Sequence, residues 1–117
     1  MIRLLLPLPP SKNSQYMRAK NGGIYLNPKV KLFRQEVWVA IKQAGLRKIY
    51  TPARLLATFS PARAGIFDQA NRMDQLLDAL QHGGLIENDR LFTDTHSVLG
   101  PILRPRGACI VDITVLR

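Results

Sequence analysis

The sequence predicts a small α/β (α+β) domain, a mixed β-sheet with two main helices packed on one of its faces. Two stretches place apolar residues at helical spacing, within 30–41 and 73–80. Four short segments, the apolar run 2–6 and then 53–60, 92–99 and 108–116, read as strands bounded by Pro, Gly or polar residues. The order strand, helix, strand, helix, strand, strand suits two layers with the helices segregated to one face of the sheet. At 117 residues the chain suits one domain, 1–117. A chain of this size buries about two thirds of its unfolded surface, so its core needs no covalent staple.

Ile2–Leu6 forms an apolar strand ended by Pro7, Pro9 and Pro10, which make a rigid turn. Residues 11–26 are polar and basic, contain Gly22-Gly23, and read as an irregular loop. Within them Lys12, Asn13, Arg18, Lys20 and Asn21 interleave with Tyr16 and Tyr25. That mixture can grip a nucleic-acid backbone, and it equally fits a solvated surface loop. Asn27-Pro28 is a helix start, a capping residue followed by Pro at the first position. Val30, Phe33, Val37, Ala40 and Ile41 then make the buried stripe of a helix over 28–45, with Lys29, Lys31, Arg34 and Lys42 outside it and Gly45 at its end. Residues 53–60 read as a strand. Met73, Leu76, Leu77 and Leu80 define the second helix, 69–82, stopped by Gly83-Gly84. Leu85–Asp89 read as a short turn, and the last two strands are joined by the Pro- and Arg-containing loop 100–107.

The charge points to a polyanionic partner. Seventeen Lys and Arg face 8 acids, for a net charge of +9, which suits nucleic acid more often than an anionic membrane. The segregation says more. Residues 1–67 hold 12 Lys and Arg against one acid, a balance of +11, while residues 68–117 hold 5 against 7, a balance of −2. Five of the acids, Asp68, Asp74, Asp78, Glu87 and Asp89, fall within 67–90. A nuclease needs both parts, cations for phosphates and a few carboxylates for a metal ion. The single cysteine, Cys109, excludes an internal disulfide and sits in a strand as core filler; no Cys/His zinc spacing is present. No apolar run approaches the ~18 residues of a membrane span, and the N-terminus lacks a signal-peptide pattern, so a cytoplasmic location without membrane contact is expected. No phosphate-binding Gly-rich loop, dinucleotide fingerprint or Ser/His/Asp order occurs. His82 reads as a cation favoured at a helix end, and His96 as a solvent-facing strand residue.

Each acid admits two roles. Asp68 suits an N-cap, Asp74 and Asp78 suit an exposed helix face, and Glu87-Asn88-Asp89 suits an ordinary turn. Oxygen-only ligands are also what Mg²⁺ prefers, and such an ion activates water and stabilises a leaving oxygen. Spacing alone does not bring Asp68 to Asp89.

Four stretches, LPLPPSKN at 6–13, GGIYLNPKVKLFRQEV at 22–37, DQANRMDQLLDAL at 68–80 and GGLIENDR at 83–90, resemble in order and spacing the RusA family of Holliday-junction resolvases, small phage and prophage endonucleases. The family's central motif reads Asp-x-Asp-Asn-x-x-Lys, then Asp-Ala-Leu, then an acidic pair. Asp68, Asn71, Asp78-Ala79-Leu80 and Asp89 match it. The resemblance implies a homodimer that binds branched DNA, the four-way junction, and nicks paired strands. It implies Mg²⁺, with Mn²⁺ an acceptable substitute, held through Asp68 and Asp89. Two positions depart from the motif: its second Asp is Ala70, and its Lys is Asp74. Asp74 follows Ala70 by one helical turn and can restore the carboxylate, which makes Asp68, Asp74 and Asp89 the expected metal ligands and catalytic acids. Lys12 is the candidate for the displaced cation. Lys12, Asn13, Arg18, Lys20, Asn71 and Arg72 form the expected DNA-contact set. The competing readings are a non-catalytic junction-binding protein with a degraded metal site and a basic RNA-binding protein.

Overall fold

The computed structural model describes residues 1–11 and 15–116. In chain order its elements are β1 (Ile2–Leu6), β2 (Tyr16–Arg18), β3 (Ile24–Leu26), α1 (Pro28–Gln43), β4 (Ala53–Ser60), α2 (Gln69–His82), β5 (Phe92–Leu99) and β6 (Ala108–Val115), with a 3₁₀ turn at Asp89–Leu91 before β5. The main sheet has the order β1-β6-β4-β5. β6 is antiparallel to both β1 and β4, and β4 is parallel to β5. So β1, β4 and β5 run one way and β6 runs against them, the mixed sheet that the sequence predicts.

Alternation along the strands sets the core. Leu4 and Leu6 of β1, Ala53, Leu55, Ala57 and Phe59 of β4, and Cys109, Val111 and Ile113 of β6 are buried. The helices meet them with Phe33, Val37 and Ile41 from α1 and Leu76, Ala79 and Leu80 from α2. Complete burial of one such Leu or Phe contributes about 1.5–3 kcal/mol. α2 closes tightly on α1: a Cβ at Gly83 would lie 2.7 Å from Ile41 Cδ1. Cys109 is core filler as expected, and burial pushes its thiol up to about 12. Among the described residues no helix is long and apolar enough to cross a membrane.

The other face of the sheet mixes ion pairs with apolar residues such as Leu5 and Val98. Arg3 bridges Asp112 through two bonds of 2.7 and 3.0 Å. Asp94 receives Arg54 Nε and lies 2.6 Å from His96 Nε2. The Arg54 hydrogen bond is the main reason the Asp94 carboxyl is held below its ordinary value of 3.8, opposed by desolvation and assisted by His96. A depressed folded value adds stability above the unfolded pKa, and that stability disappears as pH falls through the folded value. The melting temperatures of the wild type and Asp94→Asn should therefore differ near pH 6 and converge as pH falls well below 3.8. The difference should be small, because both partners are exposed to solvent.

Three local expectations need correction. Residues 11–26 are not wholly irregular, because β2 and β3 pair as a short hairpin, Tyr16 with Leu26, Met17 with Tyr25 and Arg18 with Ile24. Gly22, at φ 86°, allows the tight turn, and Ala19 N–H donates to Gly23 O at 2.7 Å. The first helix ends at Gln43, with Ala44 as its cap and Gly45 already in the left-handed region at φ 64°. The segment after α2 is more than a turn. Ile86 bridges Ile49, with Ile49 N–H donating to Leu85 O and Glu87 N–H to Ile49 O.

Candidate active site

The strand directions gather the site. β1, β4 and β5 point the same way, so the Pro turn, loop 61–68 and loop 100–107 all leave one end of the sheet. Ligand sites of open α/β sheets lie at such carboxyl ends. α1 and α2 both begin there, because each carries the chain back toward the start of the next parallel strand. Arg72 Nη1 donates to Pro9 O at 2.6 Å, and its guanidinium lies 5.0 Å from the Phe67 ring centroid. Leu103 N–H donates to Pro61 O at 2.9 Å, joining the other two loops. Arg63, Arg104 and Arg106 are exposed on these loops, and Lys29 stands at the start of α1.

Asp68 is the N-cap of α2. Its Oδ1 accepts from Asn71 N–H at 3.1 Å and its Oδ2 from Asn71 Nδ2 at 2.7 Å. The capping role and an exposed carboxylate therefore coexist, and each oxygen keeps a further lone pair. Burial lowers the pKa of the Arg72 guanidinium from its usual value, opposed by the nearby Asp68 charge. Two clefts border Arg72. One, about 480 Å³, is walled by loop 61–67 and Leu8. The other, about 260 Å³, lies between Pro10, Ser11, Asn27, Lys29 and Arg72.

The other expected acids lie elsewhere. α2 spans 14 residues, about 20 Å at 1.5 Å per residue. Asp89 comes after its far end, where Asp89 N–H donates to Gln81 Oε1 at 2.8 Å and Asn88 caps the 3₁₀ turn. Asp68 and Asp89 thus sit at opposite ends of one straight helix. Asp74 is exposed on α2, one turn after the exposed Ala70. Among the described residues no three His, Cys, Asp or Glu side chains gather to hold a metal ion. The expected meeting of Asp68, Asp74 and Asp89 does not occur within a single chain, because the helix between them keeps its ends apart. Asn71 is joined to Asp68, Arg72 borders both clefts, and Arg18 and Lys20 are exposed on the hairpin and its turn. Lys12 and Asn13 fall outside the described residues.

Lys29 was read from sequence only as lying outside the apolar stripe of the first helix, and Arg63, Arg104 and Arg106 were not assigned to the site. The available signal was their position just past an apolar segment or a cap, and it acquires meaning only once the strand order is known.

Fold and site together define a small mixed-sheet protein whose acid-capped second helix opens onto a cationic rim. Comparison with known proteins adds the family. The chain is 33% identical over 118 residues to the crossover junction endodeoxyribonuclease RusA of Enterobacteria phage HK97, an alignment covering 97% of this chain and 94% of the relative. This chain belongs to the RusA family of crossover junction endodeoxyribonucleases. No protein-family model matches it.

Proposed function

We propose that the protein is a structure-selective endonuclease that resolves four-way (Holliday) DNA junctions by metal-dependent, paired phosphodiester hydrolysis. The observation that carries this reading is kinship over 97% of the chain with a crossover junction endodeoxyribonuclease. Asp68 at the start of α2, facing the cationic end, is compatible with it. The exposed hairpin cations Arg18 and Lys20, together with Lys12 and Asn13, hold phosphates, and Asn71 and Arg72 act beside Asp68.

One chain does not fit a metal site of Asp68 and Asp89, since α2 separates them. Two copies would fit. If the α2 helices of a homodimer run antiparallel, Asp68 of one chain reaches Asp89 of the partner subunit, and the two-fold axis makes two such sites for two strands. Asp74 shares an exposed face with Ala70 and supplies the carboxylate missing there. Bound Mg²⁺ or Mn²⁺ supplies activation of water and charge neutralisation at the leaving oxygen. The chain's own part is to cap α2, orient the Asp68 carboxylate through Asn71 and hold phosphates around it.

Ala70 and the dispersed acids favour a second reading, a junction-binding protein that does not cut. A synthetic four-way junction incubated with Mg²⁺ or Mn²⁺, beside linear duplex and a chelator control, separates the two. Paired nicks that need metal and appear in the junction alone are expected. Tight junction binding without nicks supports the second reading, and neither preference nor cutting leaves a basic protein whose partner is RNA.

A further inference from the structure

We propose that the smaller cleft, between the Pro turn and the starts of the two helices, binds one DNA backbone phosphate through Lys29 and Arg72. This rests on the DNA-cutting reading for the source of the phosphate. The site stands on geometry. Among the described residues its lining is Pro10, Ser11, Asn27, Lys29 and Arg72, about 260 Å³ with two cations and no acid. The cations come from different helices, Lys29 being the second residue of α1 and Arg72 the fourth of α2. Cations scattered over a surface seldom face each other across a concavity; two that converge repel unless an anion lies between them.

Arg72 is already oriented for this. Its Nη1 donates to Pro9 O and its guanidinium carbon lies 5.0 Å from the Phe67 ring centroid. A guanidinium carries five donors, so one bond to a carbonyl leaves others for a phosphate oxygen. Lys29 forms no ion pair among the described residues and brings a mobile point charge to the opposite wall. Asp68 lies one turn before Arg72 on α2. A phosphate in the cleft would therefore hold the DNA backbone beside the Asp68 carboxylate, fixing which neighbouring phosphodiester faces it.

The test is the salt dependence of junction binding by the full chain, for wild type, Lys29→Gln, Lys29→Arg and Lys42→Gln. Lys42 sits at the far end of the same helix, 5.7 Å from the Trp38 ring centroid, and controls for loss of one charge. The slope of log K against log salt should fall by about 0.9 per bound copy for Lys29→Gln, stay at the wild-type value for Lys42→Gln and be kept by Lys29→Arg. Equal slopes for Lys29→Gln and wild type, or an equal fall in Lys42→Gln, overturn the cleft. Cutting by the wild type is read separately. Wild-type cutting with unchanged slopes defeats the cleft and leaves the endonuclease, whereas a fallen slope without wild-type cutting supports the cleft and defeats the endonuclease.

Discussion

Asp68→Asn should abolish junction cutting while leaving the fold and junction binding intact. The observed capping role of Asp68 and its proposed role as a metal ligand separate at this substitution. As N-cap it accepts from Asn71 N–H, and Asn caps a helix about as well as Asp, so α2 keeps its start. What disappears is the negative charge that a metal ion requires. Groups that merely support a ligand are worth about 10–100-fold, so removal of a ligand itself should slow single-turnover cutting by more than about a hundredfold. Asp68→Ala should also stop cutting, and in addition lose about 1 kcal/mol of stability through the missing cap. Wild-type cutting rates in Asp68→Asn would remove Asp68 from the site.

The second large effect concerns two inactive variants mixed together. Asp68→Asn and Asp89→Asn should each be inactive alone, and allowing their subunits to exchange should restore nicking. In a mixed dimer, one site pairs the intact Asp68 of one chain with the intact Asp89 of the other, and the second site has neither. With random exchange half the dimers are mixed and each has one working site of two, so about a quarter of wild-type nicking should return. The product should be a junction nicked on one strand only. No recovery, in mixtures shown by mass to contain mixed dimers, would mean that the two acids do not share a site between chains. The α2 geometry makes this a sharp test, because a rigid helix of 14 residues cannot bend its ends together.

The legible part of the molecule was local. Both helices follow from apolar stripes at 3.6-residue spacing and from their caps, Asn27-Pro28 and Asp68, whose side chains accept from Lys29 and Asn71 N–H. The strands of the main sheet were legible as short segments between turn residues; β1, β4 and β6 then bury alternate residues such as Leu4, Leu6, Leu55 and Val111, whereas β5 buries only Phe92. The β2–β3 hairpin escaped notice because three-residue strands exposed on both sides leave no alternation to read. The candidate site was legible in kind, a basic half against a cluster of acids, and in Asp68 and Asn71 as neighbours one turn apart. It was not legible in assembly.

Thus the sequence by itself determined the class of the fold, the starts of both helices and the end of the second, the buried stripes and the presence of an acid at the start of α2. These depend on backbone periodicity and capping, which act over a few residues. Only the tertiary structure decided that β6 inserts between β1 and β4, which aligns β1, β4 and β5. That alignment delivers three loops and two helix starts to one end and leaves Asp89 at the other. Strand order arises from pairing between residues far apart in the chain, such as Leu4 with Val111, and no local pattern records it. The convergence of Lys29 with Arg72 follows from that order, whereas the separation of Asp68 from Asp89 follows from the length of α2 between them.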